Sequence, residues 1–369
     1  MIEFKNVSKK FQDKSVIEDI NFVINDGEFV VLLGESGCGK TTTLKMINKL
    51  ILPSSGTIEI NGKDISKMNT ISLRRRMGYV IQHIGLFPHM TIRENISVIA
   101  KLNFKDKEKI EETAYRLMKM VNLDPDTYMD VYPSEMSGGQ QQRAGVVRAF
   151  MAEPEIVLMD EPFSALDPIT RTQIQASLID MQSALKRTIV FVTHDMDEAI
   201  RLADRICIMD KGNIVQFDTP ENILKNPAND FVRNFIGPKR IWTSPEFIKT
   251  RDIMISDPVC CHPKMPLFKC VEIMGRRRVD TLIITDQYKR MYGVLFAEHL
   301  ISGYDGHQPV ETLMDKKFIS VSPDSSIVDL LTLFDEHHLS TLPVVNSQGI
   351  IEGLITRSTL INTLSRQFI

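Results

Sequence analysis

Residues 34–42 read GESGCGKTT and fit the pattern G-x-x-x-x-G-K-[ST]. Glycines at 34, 37 and 39 let such a loop wrap a phosphate with its backbone N–H groups, helped by the N-terminus of the helix that follows. Lys40 would reach the β- and γ-phosphates, and the Thr41 hydroxyl would hold Mg²⁺. Gly34, Glu35, Ser36, Gly37, Cys38, Gly39, Lys40, Thr41 and Thr42 are thus the candidate triphosphate cradle. A second string, IVLMDEP at 156–162, is an apolar run that delivers two adjacent carboxylates. Asp160 would enter the Mg²⁺ shell and Glu161 would orient or polarise an attacking water. Taken alone, two acids at a strand end are more often simply solvated. His194, in VTHD, could meet a γ-phosphate, although an isolated histidine is more often a satisfied buried one. Gln82, in YVIQ, would by itself be a surface residue. These positions gain weight only as a set.

Three short apolar runs place the set. FVVLL at 29–33 is followed at once by Gly34 and a helical pattern, which reads as strand, tight loop and helix. IVLM at 156–159 ends in Asp160–Glu161, and TIVFV at 188–192 ends in Thr193–His194. Strands that each end in polar residues, with helices between them, imply an α/β domain around a parallel sheet, its site at the strand C-termini. The stretch from 83 to 150 is richer in helical periodicity and is expected to be a helical subdomain.

The chain has 369 residues, which implies two or three domains. Its formal charge of -3 gives no bulk attraction to nucleic acid or anionic lipid. No apolar run is long enough to span a bilayer, and MIEFKNVSKKF lacks the apolar stretch of a secretory signal. A cytosolic location is therefore expected. Cys38, Cys207, Cys260, Cys261 and Cys270 have no paired CxxC spacing and read as reduced, mostly apolar thiols; the adjacent Cys260 and Cys261 leave a metal or redox pair as the alternative.

The pattern changes after FIGPKR at 235–240. From about 250 two β-α-β-like units align without a gap at an offset of sixty. Ile253–Met254 falls on Leu313–Met314, Asp280–Thr281–Leu282 on Ser340–Thr341–Leu342, and Gly293 on Gly353. GVLFAEHLI at 293–301 and GLITRSTLI at 353–361 share the glycine and apolar positions but differ in the polar ones. Such an internal pair should pack on itself. The expected division is 1–236, a linker at 237–250, and repeats at 251–310 and 311–369.

Two further strings complete the set: EMSGGQQQR at 135–143 and SALD at 164–167. Together the motifs resemble the nucleotide-binding subunit of ABC transporters from residue 1 to about 236. The resemblance makes Phe11 the aromatic stacked on adenine, and GESGCGKTT the Walker A loop. Gln82 becomes the Q-loop glutamine, sharing Mg²⁺ with Thr41 and Asp160, while Glu161 is the catalytic base and His194 the switch histidine. Ser137, Gly138, Gly139 and Gln140 match the family signature and Asp167 the D-loop aspartate; these would contact ATP held by a second subunit. Met136 stands where the family usually has leucine, an apolar exchange. The implied machine is a homodimer that closes on ATP and opens after hydrolysis. The segment LFPHMTIRENI at 86–96 corresponds to the surface where importers receive a transmembrane permease subunit. Leu86, Phe87 and Met90 would be its apolar contacts, with an exposed loop as the plainer alternative.

The duplicated tail resembles a tandem pair of CBS domains, α+β modules that regulate many enzymes and transporters. An ABC ATPase with QHIGLFPHMTI and such a tail is similar to the ATP-binding subunits of osmoprotectant importers, the OpuC-like glycine betaine, carnitine and choline group. A place on the cytoplasmic face of a bacterial membrane, with an extracytoplasmic substrate-binding protein acting indirectly, is then implied. Nucleotide-binding CBS pairs usually carry G-h-x-[ST]-x-x-D. The second repeat keeps Thr356 but has Thr359 at the aspartate position, and the first has Phe296 and His299 at the two positions. A complete mononucleotide site is therefore not expected. Sensing of ionic strength, binding of cyclic di-AMP through Ile355, Thr356 and Arg357, and a purely structural dimerisation module remain as alternatives. Import of another small solute such as an amino acid, a soluble ABC ATPase acting on DNA or ribosomes, and a nucleotide-binding regulator are the competing functions.

Overall fold

The structure is a computed structural model. It describes residues 1–369 except 13, 83–84, 105, 165, 238–243, 301–304, 338 and 366–369, and describes no side chains at 363–365. Residues 238–243 of the expected linker, the His83–Ile84 pair of QHIGLFPHMTI, Ala165 of SALD and Ile301 of the first repeat motif therefore lie outside the described residues. The chain forms two compact units, Met1–Ile236 and Gly237–Ile369.

The first unit contains two sheets. β1 (Ile2–Phe11), β2 (Lys14–Ile24), β4 (Ser55–Ile60) and β5 (Lys63–Asp64) form an antiparallel sheet in the order β2-β1-β4-β5. β3 (Phe29–Gly34), β6 (Met77–Val80), β7 (Ile156–Asp160), β8 (Thr188–Thr193), β9 (Arg205–Asp210) and β10 (Asn213–Asp218) form the second, ordered β10-β9-β3-β8-β7-β6. All of its neighbours are parallel except β10 and β9. β3, β7 and β8 are buried along their whole length, which is why they read as continuous apolar runs rather than alternating ones. Val30, Leu32, Leu158, Val190 and Val192 share one core, each worth about 1.5–3 kcal/mol when fully removed from water. The expected parallel sheet and helical subdomain are both observed. The latter consists of helices Ile92–Asn103, Lys107–Met120 and Gly138–Phe150, which pack on one another.

In the second unit, β11 (Cys260–Cys261), β12 (Thr281–Thr285) and β13 (Met291–Phe296) form one sheet, and β14 (Thr341–Val345) and β15 (Ile351–Thr356) a second. The repeats exchange their leading segments. Ile253 and Met254 pack against the core of the second repeat, joined by Ile248 of the linker, while Leu313 and Met314 pack against that of the first. Ile255 bridges to Leu354, and sixty residues on, Asp315 bridges to Val294. Ile283, Val294, Ile351 and Leu354 form a shared core between the repeats.

The paired glycines are required by this exchange. A Cβ on Gly293 would stand 2.6 Å from the Asp315 carbonyl oxygen, whereas one on Gly353 would first meet the Met254 sulfur at 2.5 Å. Backbone cannot yield as a thioether can. Gly293→Ala should therefore destabilise the second unit by about 1–3 kcal/mol, and Gly353→Ala by less. Scanning calorimetry of the full chain checks the order; equal midpoints for the two variants would contradict it.

Candidate functional site

The loop after β3 passes directly into helix Lys40–Ile47, and Gly39, its N-cap, sits at φ 108. Gly37, at φ 83, is likewise in the left-handed region open to glycine. A Cβ at Gly39 would press on Val16 O and the Ile17 side chain at about 3 Å, so the turn needs glycine for space as well as for its dihedral. Lys40 is buried and donates from Nζ to the carbonyls of Gly34 (2.7 Å) and Glu35 (2.8 Å), which curls the loop around its ammonium group.

A cavity of about 730 Å³ opens here, lined by Phe11, Lys14, Ser36, Gly37, Gly39, Lys40, Thr41, Thr42, Glu161 and Lys211 among others. Phe11 is 45% exposed, with Lys9 Nζ 4.8 Å from its ring centroid. It therefore offers a flat apolar face beside the loop. The Cys38 thiol is buried in the core of the unit, where desolvation raises its pKa, so it behaves as an apolar group and only its backbone can take part. Gly34 and Glu35 do not line the cavity; they serve the loop by accepting from Lys40.

Strand order carries the carboxylates to this cavity. β3 and β7 flank β8, and Asp160 ends β7. Thr41 Oγ1 donates to Asp160 Oδ1 at 2.7 Å, closing a gap of 119 residues in the sequence. A hydroxyl and a carboxylate side by side are the hard oxygen donors Mg²⁺ prefers, with phosphate oxygens and water filling the remaining positions. The residues present thus fit the ion.

Glu161 leaves the strand at φ 43, an unusual conformation for a side-chain-bearing residue, with its N–H donated to Val192 O at 3.0 Å. Gln82 Nε2 donates to Glu161 Oε2 at 3.3 Å, and His194 Nδ1 lies 3.5 Å from the same oxygen. Gln82, Glu161 and His194, from three strand ends, therefore converge. The loop under His194 is held by Thr193, whose hydroxyl donates to Glu198 at 2.6 Å and accepts from Asp195 N at 3.0 Å. Burial raises the Glu198 pKa. Sequence reading missed this support.

The signature lies elsewhere in the unit. Ser137 caps helix Gly138–Phe150: its hydroxyl accepts from Gln140 N, and Ser137 N donates to Gln140 Oε1 at 2.8 Å. A Cβ on Gly138 would meet nothing within 4 Å, so this helix end is open. Ser137, Gly139, Gln140, Arg143 and Thr170 line a separate cleft of about 560 Å³ that shares no lining residue with the Lys40 cavity. Asp167 caps the helix Pro168–Leu185, and donation from Thr170, side chain first, holds its carboxyl below the usual range. Arg143, also unforeseen, donates to the carbonyls of Val121 (2.8 Å) and Asn122 (3.0 Å) and to Gln173 Oε1 (2.7 Å). It fixes the signature helix against two neighbours.

In the docking string Phe87 is 43% exposed, while Leu86 and Met90 are half-buried. Of the tail residues, Thr356 shares a 2.9 Å hydrogen bond with Thr359, and Arg357 Nε donates to Leu339 O at 2.6 Å. Ile355 must be corrected. It is wholly buried in the second repeat's core, because both faces of β15 are covered there, and its side chain cannot meet a ligand. A cleft of about 820 Å³ in the second unit is lined by Asp257, Cys260, Arg276, Arg277, Lys289 and Ile351, among others, and not by the 355–357 triplet.

A nucleotide cradle, a catalytic carboxylate cluster and a capped signature helix on an α/β core define the ABC-type ATPase class. Comparison with known proteins agrees: the ABC transporter family model matches residues 17–164, and the CBS domain model matches 251–305 and 310–366. The carnitine transport ATP-binding protein OpuCA of Listeria monocytogenes is 45% identical over 98% of this chain and 91% of its own length. The glycine betaine/carnitine/choline transport ATP-binding protein OpuCA of Bacillus subtilis is 44% identical over 98% and 96%. The osmoprotectant import ATP-binding protein OsmV of Salmonella typhimurium is 40% identical over 99% and 96%. Among solved structures, the dimeric post-hydrolysis state of the cassette MJ0796 bound to ADP and Pi superposes with a TM-score of 0.54 at 30% identity. That match covers 60% of this chain and 99% of the other. The chain belongs to the ATP-binding subunits of osmoprotectant ABC transporters that carry a tandem CBS tail, and it is an ATP hydrolase of that family.

Proposed function

We propose that the chain energises uptake of quaternary-ammonium osmoprotectants such as glycine betaine, carnitine or choline. It would do so as a homodimer on the cytoplasmic face of the membrane, joined to permease subunits through the loop around Leu86–Met90. An extracytoplasmic binding protein would present the solute. The observation that carries the reading is the convergence of Gln82 and His194 on Glu161 beside the Lys40 cavity.

In this reading the Gly37–Thr42 backbone and Lys40 bind the phosphates, and Phe11 stacks on the base. Thr41, Asp160 and Gln82 would hold Mg²⁺, which neutralises charge on the β- and γ-phosphates when bound. Glu161 accepts the proton of the attacking water at a carboxylate oxygen. Gln82 keeps that carboxylate aimed, and His194 lies beside it to meet the γ-phosphate. Ser137–Gln140 and Asp167 complete the site of the partner copy, their open helix end directed at phosphate.

The tail would adjust transport to ionic strength or to cyclic di-AMP, and Arg276, Arg277 and Lys289 give its cleft cations suited to an anion. One experiment tests the whole: reconstitution with the membrane subunits in vesicles, measuring ATP-dependent uptake of labelled betaine, carnitine and choline. Salt and cyclic di-AMP titrations follow, with and without residues 241–369. Uptake is expected for at least one of the three solutes, with a salt or nucleotide response that disappears on truncation. Uptake of an amino acid alone would overturn the solute reading, and an unchanged response after truncation the regulatory one.

A further inference from the structure

The loop at Phe87–Met90 is short, contains Pro88, and is closed by one turn in which Met90 N donates to Phe87 O at 3.2 Å. One side chain five residues on binds the backbone at both of its ends. Asn95 lies in the first turn of helix Ile92–Asn103 and is wholly buried. Its Oδ1 accepts from Phe87 N at 2.7 Å, and its Nδ2 donates at 3.0 Å to the carbonyls of Phe87, Met90 and Thr91. The amide thus grips Phe87 on both backbone groups, as a neighbouring strand would, and ties the far end of the loop to the same point. Only a short primary amide can do this: Asp has no donor, Gln is a methylene too long, and Ser cannot serve both groups of Phe87 at once.

The helix that carries Asn95 is itself anchored. Thr91 and Glu94 form a reciprocal cap at its start, and Arg93 binds Asp130. The other end of the loop is also held, since Arg148 Nη1 donates to Gly85 O at 2.7 Å from the last turn of the signature helix. Gly85, Phe87, Ile99, Arg148 and Ala149 line one groove of about 360 Å³. The loop is therefore a fixed wall of a cleft, and Phe87 is left exposed on it.

We propose that Asn95 is the positioning residue of the docking surface: its side-chain amide presets the Phe87–Thr91 backbone, so that Phe87 meets the permease in a ready-made conformation. The proposal rests on the docking reading above. Preorganisation of this kind raises affinity by removing the ordering cost of binding, and it acts without touching nucleotide or solute.

Hydrogen exchange and uptake test it together on the full chain. In Asn95→Ala the Phe87 amide should exchange at least about tenfold faster, since a buried acceptor is lost, while the amides of β3 stay within about twofold. In Asn95→Asp the acceptor for Phe87 N remains but the donors are gone. The Phe87 amide should there stay protected, while the Met90 end loosens. Both variants should keep the Michaelis constant for ATP of the isolated chain, yet lose reconstituted uptake by about tenfold or more. Unchanged Phe87 exchange in Asn95→Ala, or acceleration spread equally over β3, would overturn the proposal. A Phe87→Cys cross-link to the permease is the separate arm. If it never forms, the docking reading fails, whatever the exchange data say. If it forms equally well with Asn95→Ala, the docking reading stands and the positioning role falls.

Discussion

Glu161→Gln should lower the rate of ATP hydrolysis on the order of 10³-fold, within the range for loss of a general base, and leave ATP binding within about threefold. The two effects separate because the structure separates the residues. Binding rests on the loop around Lys40, whose contacts run to Gly34 and Glu35 and not to Glu161. The substitution keeps the size and planarity of the group and removes only its capacity to take a proton. The Glu161 side chain is still 20% exposed, so water can reach it, and Gln82 holds it on one side. Phosphate release under saturating ATP and equilibrium binding of ATP measure the two quantities. A variant retaining more than a tenth of the rate would show that Glu161 is not the base and that the water is activated otherwise. A variant that fails to bind would mean that the carboxylate supports the cradle rather than the chemistry.

What was legible in the sequence follows from how local each demand is. The phosphate loop could be read because a backbone cradle needs glycines at fixed offsets within nine residues, and Gly37 and Gly39 sit at positive φ as that requires. The strands β3, β7 and β8 could be read because burial on both faces leaves no alternation. The meeting of Thr41 with Asp160, and of Gln82 and His194 with Glu161, depends on strand order, which no local pattern encodes; the family resemblance supplied it. Ile355 was assigned by motif position, and its side chain turns inward because the neighbouring backbone is already part of a core.

The supporting residues were the least legible. Asn95, Arg143 and Arg148 act through backbone carbonyls and amides, which carry no sequence signature. Arg143 reaches back 22 residues and Arg148 reaches back 63. The sixty-residue repeat was visible, and so was the matching of Gly293 with Gly353. The exchange of leading segments was not, because a register in sequence says nothing about which copy a segment completes. The close approach of Gly293 to Asp315 O, and of Gly353 to Met254, is the physical reason for the repeated glycine. The polar differences between the repeats are spared that constraint.

The separation of the signature cleft from the Lys40 cavity leads to the second large expected effect. Lys40→Ala and Ser137→Arg should each abolish hydrolysis, the first by loss of phosphate binding and the second by filling the open helix end before Gly138 with a long cation. Mixed in equal amounts, the two inactive proteins should recover about a quarter of the wild-type rate, by isologous pairing. The arithmetic follows from the composite site. Random pairing makes about half of the dimers mixed. In each of those, one site joins an intact Lys40 to an intact Ser137 of the partner, while the other site has neither. If each site were built within one chain, every site in the mixture would still carry a defect and no activity would return. The readout is phosphate release from the mixture against either variant alone, with chain exchange confirmed by differently tagged copies. Recovery identifies the signature as a partner's contribution to catalysis; its absence, with exchange demonstrated, confines the chemistry to a single chain. Since Ser137 caps its helix through Gln140, the bulkier Arg also removes that cap, at a cost of about 0.5–2 kcal/mol. Ser137→Asp retains an N-cap acceptor and puts negative charge where phosphate must lie. It should be equally inactive alone and equally rescued in the mixture, which separates loss of the contact from loss of the helix end.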